Sequence, residues 1–205
     1  MSILSYNGGA VIAMKGGNCL AVATDLRYGV ELRTVTTDFP KMFEIHPHLW
    51  VGLPGLASDT QTVLEKIRFR VKMYELQENR PIQPETFAAM LSNMLYERRF
   101  GPFFIEPIVA GLNPHTQSIY LCSMDLIGNV TTPEDFVVGG TAEEQLLGMC
   151  ETVWSPDMDP DQLFESVSQA LVNAVDRDAS AGWGAEITII EPHQITTRRI
   201  KTRMD

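Results

Sequence analysis

Short apolar runs of strand length, broken by turn residues, alternate along this chain with longer stretches in which apolar residues return every third or fourth position. Ala10 to Lys15 and Cys19 to Thr24 are two such runs, separated by Gly16-Gly17-Asn18, a hairpin signal. Met42 to Ile45 and Leu49 to Leu53, divided at His46-Pro47-His48, predict two more strands. A helix follows, with Ser58 or Asp59 expected as its N-cap. Its apolar positions Val63, Leu64, Ile67, Val71, Tyr74 and Leu76 recur near the helical period, while Glu65, Lys66, Arg68, Lys72 and Glu75 take the other faces. It must end before Pro81. Pro84, favoured in a first turn, opens a second helix that carries Phe87, Met90, Leu91, Met94 and Leu95 up to Arg98-Arg99.

The second half repeats the theme. Phe103 to Leu112 and Ser118 to Met124 predict strands around a turn at Asn113-Pro114-His115-Thr116, and Gly128-Asn129 end the second one. After Phe136-Val137-Val138, Gly139-Gly140 lead into a helix from about Thr141 that is expected to bury Leu146, Leu147 and Met149. A fourth helix, from about Pro160 to Asp176, shows Leu163, Phe164, Val167, Ala170, Leu171 and Ala174 at helical spacing. Ala185 to Ile190 and Ile195 to Lys201 close the chain as a hairpin around Pro192-His193-Gln194. The pattern supports a mixed α+β chain in which antiparallel sheets are covered by helices.

Composition narrows this further. With 205 residues, 44% hydrophobic and 20% charged, the chain can build one sizeable core, and no Pro/Gly/Ser-rich linker divides it. A single domain over 1–205 is expected. Lys plus Arg number 16 against 26 Asp plus Glu, a net charge of -10 without a basic block, so nucleic acid is excluded as a partner. No run approaches membrane-spanning length and no charged n-region precedes a long apolar stretch, which predicts a cytosolic or nuclear protein without a membrane partner. The three cysteines, Cys19, Cys122 and Cys150, lie far apart inside apolar runs and read as reduced core thiols. Four histidines in turn-like settings offer little to a metal, and no cofactor motif is present. Trp50, Trp154 and Trp183 read as packing residues.

Several motifs carry a family resemblance that runs from Met1 to Asp205. They are Ser5-Tyr6-Asn7-Gly8-Gly9-Ala10, Tyr96-Glu97-Arg98-Arg99-Phe100-Gly101-Pro102, Asp125-Leu126-Ile127-Gly128, Asp135-Phe136-Val137-Val138, Gly148-Met149-Cys150-Glu151 and Asn173-Ala174-Val175-Asp176-Arg177-Asp178-Ala179. Together with the opening hairpin they resemble the beta subunits of the 20S proteasome. The resemblance implies the four-layer αββα sandwich of the N-terminal-nucleophile hydrolases, with two antiparallel sheets between helical layers.

In that family a threonine behind a glycine becomes the new chain start. Its hydroxyl attacks, its freed amine acts as base, and a downstream aspartate and lysine serve it. By resemblance Asp25 and Lys41 fall on the aspartate and the lysine, and Gly9 falls on the nucleophile. Asp178 matches the family's later aspartate, while Gly139 and Ala181 stand at positions of supporting serines, and Ser180 is one place early. The constellation Asp25, Lys41 and Asp178 is thus expected to be vestigial, with no catalytic residue, and Asp25 to serve as the carboxylate partner that a buried Lys41 requires. Residues 1–8 read as a short unprocessed extension and 202–205 as a tail.

The expected function is that of a non-catalytic structural subunit of the 20S core, supporting ATP- and ubiquitin-dependent protein degradation by its neighbours. The implied partners are other beta subunits in a seven-membered ring, the alpha ring and the facing beta ring, which the tail ending at Asp205 would reach. Phe103 to Glu106 and Ser123 to Gly128 are the implied wall of a neighbour's substrate cleft. The alternative is a hydrolase of the same fold with an unorthodox nucleophile, for which Ser5, Thr24 and Ser180 are the nominal candidates. A free-standing binding module would be monomeric.

Overall fold

The computed structural model describes residues 2–113 and 116–204. Pro114 and His115, at the predicted turn, and Asp205, at the end of the tail, lie outside the described residues, as does Met1.

One five-stranded antiparallel sheet is built from β1 (Ala10–Lys15), β2 (Leu20–Asp25), β10 (Phe136–Gly140), β11 (Ala185–Ile190) and β12 (Ile195–Ile200) in the order β10-β1-β2-β11-β12. A second contains β5 (Met42–His46), β6 (Leu49–Gly52), β7 (Ile108–Leu112), β8 (Ile119–Met124) and β9 (Val130–Thr131) in sequence order. Strand alternation decides how they stack. Ala10, Ile12 and Met14 of β1 join Ala21, Ala23, Ile187 and Ile189 in a core against α3 (Glu143–Val153) and α4 (Pro160–Val175). The intervening Val11 and Ala13, with Leu20 and Val22, meet Trp50, Ile108, Ala110 and Leu112 of the other sheet. The opposite faces of β6 and β7, through Leu49, Val51 and Val109, cover α1 (Ala57–Glu78) and α2 (Pro84–Tyr96). Three apolar layers thus separate four layers of secondary structure, the αββα sandwich.

The departures from the predicted elements have local causes. Helix α1 has Leu56 as its N-cap, with no side-chain cap, and the Asp59 carboxylate accepts the Phe104 N–H at 2.8 Å instead. On α1, Val63, Ile67 and Val71 are buried and Tyr74 packs beside them, but Leu76 is 74% exposed because it falls off that stripe, on another face of the helix. The predicted strand from Phe103 begins only at Ile108; upstream of it Ile105 makes a single bridge to Gly55. Gly139 and Gly140 belong to β10, paired with Val11 and Ala10, so α3 starts at Glu143 rather than Thr141 and turns Leu147 outward. Arg98 and Arg99 lie just past α2. Helix α4 is the best-marked element: Asp159 and Gln162 form a reciprocal capping box and Pro160 opens it. The pattern also missed two short elements, the hairpin β3 (Tyr28–Val30) with β4 (Arg33–Thr36), and β9. All three strands are too short to show an alternation, and β4 and β9 are largely exposed.

Candidate functional site

Strand β2 ends at Asp25 beside the start of β1, and Lys41 lies on the segment that leads into β5. The structure brings the two together as an ion pair at 2.8 Å, both buried. Asp25 is fully satisfied: Oδ1 accepts the Ala10 N–H at 2.9 Å besides Lys41, and Oδ2 accepts the Gly182 N–H at 3.1 Å. Lys41 Nζ also donates to the Arg27 and Phe39 carbonyls at 2.7 and 3.2 Å, so its three N–H directions are used within the chain. Burial pushes the Lys41 ammonium below the ordinary lysine value, opposed by the Asp25 charge and hydrogen bond. Every polar atom of the pair therefore has a structural partner.

Gly9 sits against this pair at φ 152°, and a Cβ there would lie 2.7 Å from both Cδ and Cε of Lys41. The lysine stem fills the space that a side chain at position 9 would need. On the other side, the Gly9 N–H donates to Thr141 Oγ1 at 3.1 Å, and the Gly9 carbonyl accepts the Thr141 N–H at 2.9 Å. Thr141 Oγ1 also donates to Asp178 Oδ2 at 2.5 Å, and Ser180 Oγ donates to Asp178 Oδ1 at 2.7 Å. Asp178 thus reaches Gly9 through one hydroxyl. Gly139 faces Val11, with Pro54 at 3.3 Å from a built Cβ, and Ala181 is buried against the α3/α4 layer. Positions 139 and 181 carry no hydroxyl, and Ser180 and Thr141, at other positions, place two hydroxyls on Asp178.

None of the nominal nucleophiles stands free. Thr24 is buried and donates to the Asp25 carbonyl at 2.9 Å, Ser5 donates to the Ser2 carbonyl at 2.9 Å on the surface, and Ser180 is bound to Asp178. Three contributors escaped the sequence reading. Arg27, with no exposed surface, donates to Ser180 O at 2.8 Å, Glu31 O at 3.0 Å, Thr34 Oγ1 at 3.0 Å and Asn7 O at 3.4 Å. Its guanidinium is lowered by burial, against the charges of Asp25 and Asp178. The others are Asn7 and Thr141. The available signal was adjacency: Arg27 lies two residues after Asp25, Asn7 precedes Gly8-Gly9 and Thr141 follows Gly139-Gly140.

The proposed wall segments meet at a separate cleft of about 210 Å³ lined by Glu106, Ser123, Asp125, Asn129, Gly139 and Glu143, among others. Burial and the Asp125 charge raise the Glu106 carboxyl above its ordinary value, and burial with Glu106 and Glu144 does the same to Glu143. Burial also lifts the thiols of Cys19 and Cys122 to about 11 and that of Cys150 to about 12, as core thiols require. Trp50 is buried between the sheets, and Trp154 Nε1 donates to the Lys15 carbonyl at 3.0 Å. His46 ends β5 in a pair with Glu75 rather than lying in a turn. Among the described residues no cluster of His, Cys, Asp and Glu could hold a metal ion, and no helix is long and apolar enough to cross a membrane.

A sandwich of this kind, with an aspartate-lysine pair beside the start of its first strand, defines a protein of the N-terminal-nucleophile hydrolase architecture. Residues 5–190 match the family model described as proteasome subunit, and the chain belongs to that family. Over all 205 residues of both chains it is 57% identical to the proteasome subunit beta type-3 of Drosophila melanogaster. It is likewise 50% identical to proteasome subunit beta type-3 of Picea mariana and 48% identical to that of Caenorhabditis elegans, again over the whole of each chain. The resemblance read from the motifs therefore holds: the chain is a proteasome core subunit and assembles into that multi-subunit particle.

Proposed function

We propose that this chain is a non-catalytic beta subunit whose contribution to proteolysis is architectural. The observation that carries the reading is Gly9: the nucleophile position has no hydroxyl, and the Lys41 stem fills the space a side chain would take. The wiring of Asp25 and Lys41 supports it, since each donor and acceptor serves the fold and none is held ready for a substrate. The chain occupies one of the two inner seven-membered rings, between other beta subunits, stacked on an alpha ring and facing the second beta ring through its tail. It supports ATP- and ubiquitin-dependent degradation in cytoplasm and nucleus. The relatives named beta type-3 support this placement. So do the exposed apolar side chains on and beside α1 and α2: Phe69, Met73, Leu76, Tyr96 and the 94% exposed Phe100 are more than a lone chain usually shows water.

The lateral loops give the silent subunit a second part to play. Glu106 and Asp125 lie on one acidic cleft, which supports their forming part of the wall of a neighbour's substrate site. Charge reversal with Asp125→Lys then alters cleavage preference at one neighbouring site and leaves the others unchanged.

The decisive test uses particles purified from cells. They are treated with a threonine-directed electrophile, and each subunit is weighed intact. This chain is expected to remain unlabelled and to keep the residues before Gly9. Labelling at this chain, or loss of residues 1–8, refutes the non-catalytic reading, while recovery as a free monomer refutes the ring placement.

A further inference from the structure

The segment before Gly9 is bound into the fold more tightly than an unprocessed leftover needs to be. Asn7 is only 5% exposed and uses both ends of its amide. Its Nδ2 donates to the Gly29 carbonyl at 2.9 Å, in the β3–β4 hairpin, and its Oδ1 accepts the Ala57 N–H at 2.8 Å, at the first residue of α1. Ala57 belongs to the turn whose N–H groups have no partner inside the helix, and the N-cap residue Leu56 offers no side chain to satisfy them. Asn7 thus caps α1 from a distance. Next to it, the Tyr6 carbonyl accepts the Glu31 N–H at 2.8 Å in the same hairpin. The Asn7 carbonyl shares Arg27 Nη1 with the Ser180 carbonyl, at 3.4 and 2.8 Å. Gly8, at φ 71°, threads past Ser180 where a Cβ would come within 2.1 Å of a backbone oxygen. The run Tyr6-Asn7-Gly8 is therefore fitted residue by residue to three separate parts of the chain.

We propose that Tyr6 to Gly8 act as a built-in strap, which caps α1 and braces the β3–β4 hairpin across the vestigial site, so that this subunit needs the segment for its structure. A cut between Gly8 and Gly9 would leave the Ala57 and Glu31 N–H groups, the Gly29 carbonyl and one direction of the buried Arg27 guanidinium without their partners. Buried groups stripped of partners in this way are strongly disfavoured. The strap stands apart from the proposed function, because nothing in it depends on whether the chain is catalytically silent.

The test is amide hydrogen exchange on assembled particles in which a variant replaces the natural chain. In Asn7→Leu both side-chain bonds are lost, and exchange at Ala57, whose acceptor is removed, is expected to accelerate about tenfold or more, while Glu31, still facing the Tyr6 carbonyl, follows by a smaller factor as the segment loosens. Asn7→Asp keeps the acceptor for Ala57 but sets a carboxylate oxygen against the Gly29 carbonyl, so the segment is pushed from the β3–β4 hairpin and protection falls at Glu31, held by the adjoining Tyr6 carbonyl, while Ala57 stays close to the natural chain. Ser5→Ala, just before the strap and with its hydroxyl bonded to the Ser2 carbonyl, leaves both amides unchanged. A chain released from a fusion so that it begins at Gly9 is expected to enter particles at less than about a tenth of the natural level, since it lacks all of these bonds at once. Should the Asn7→Leu chain fail to assemble, the split between Ala57 and Glu31 in Asn7→Asp still decides the matter. Unchanged protection at Glu31 in Asn7→Asp, or natural incorporation of the chain that begins at Gly9, overturns the proposal.

Discussion

Two groups of carboxylates in this molecule face opposite circumstances. Asp25 is buried and accepts three donors, one of them the Lys41 ammonium. Glu106, Asp125 and Glu143 surround an open cleft, and among the described residues no Lys or Arg forms an ion pair with them. Among the described residues the backbone quiets one of them: Asp125 Oδ1 accepts the Ile127 and Asn129 N–H groups at 2.9 and 2.8 Å. The lesson is that position in a family motif does not tell a working charge from a structural one. The motif pair has been closed inside the fold, whereas Glu106, Asp125 and Glu143 line an open cleft and, among the described residues, form no ion pair.

The sharpest way to break this comparison is Asp25→Ala. It leaves the Lys41 ammonium buried without its carboxylate and two backbone N–H groups without an acceptor, and removing one partner of a buried pair costs about 3–5 kcal/mol. Hydrogen exchange of β1 and β2 within assembled particles, or loss of the chain from them, measures the effect. A variant as protected as the natural chain would show that the pair is not structural.

Gly9→Thr comes next. Its side chain must displace Cδ and Cε of Lys41 while the lysine Nζ is held by three acceptors, and overpacking of this kind costs about 1–3 kcal/mol. The single change is expected to yield neither release of residues 1–8 nor labelling by a threonine-directed electrophile, because the supporting positions remain Gly139 and Ala181. The same change combined with Gly139→Ser and Ala181→Ser is the informative contrast. Cleavage and labelling of the single variant would show that the hydroxyl at position 9 was the only thing missing.

A smaller effect is expected on the far side of Gly9. Ser180→Ala removes one neutral donor from Asp178, and Thr141→Val removes the bridge to Gly9, each costing about 1 kcal/mol. Exchange of the Gly9 and Thr141 amides should respond to Thr141→Val and not to Ser180→Ala. Equal responses would mean that the hydroxyls act as one unit.

The smallest effect lies in the acidic cleft. The folded Glu106 carboxyl is raised above 4.5, so the folded state holds the proton more tightly than the unfolded chain. The associated stability is fully present below about 4.5 and is lost as pH rises through the raised folded value. Glu106→Gln should therefore protect neighbouring strands slightly better than the natural residue at neutral pH, with the difference vanishing on acidification. A variant less stable than the natural chain at neutral pH would mean that the cleft is compensated from within after all.

The legible elements were those whose burial follows chain period. The β1–β2 hairpin, α4 with its capping box and the terminal hairpin appear where alternation and helical spacing placed them, because each shows one face to a core and another to something different. Leu76, Leu147 and the stretch before Ile108 misled for the converse reason: they are apolar without being covered by a sheet. At the site, Asp25, Lys41 and Gly9 were readable from family spacing, and the structure does bring them into contact. Thr141 was not, and Ser180 was read only as a nominal nucleophile, since their hydroxyls converge on Asp178 only after β10 has paired with β1.

By itself the sequence determined which residue types stand along the opening hairpin, that position 9 has no side chain, and that the helices and most strands lie where they do. These follow from local periodicity and from the chemistry of single residues. Only the tertiary structure decided what those residues do. It placed the Lys41 stem in the space beside Gly9, directed every donor of the lysine inward, and made Asn7 the cap of a helix fifty residues away in the chain. Such outcomes depend on which buried donor meets which acceptor once distant segments pack. Burial makes an unmatched polar group costly, and that cost sets the final arrangement.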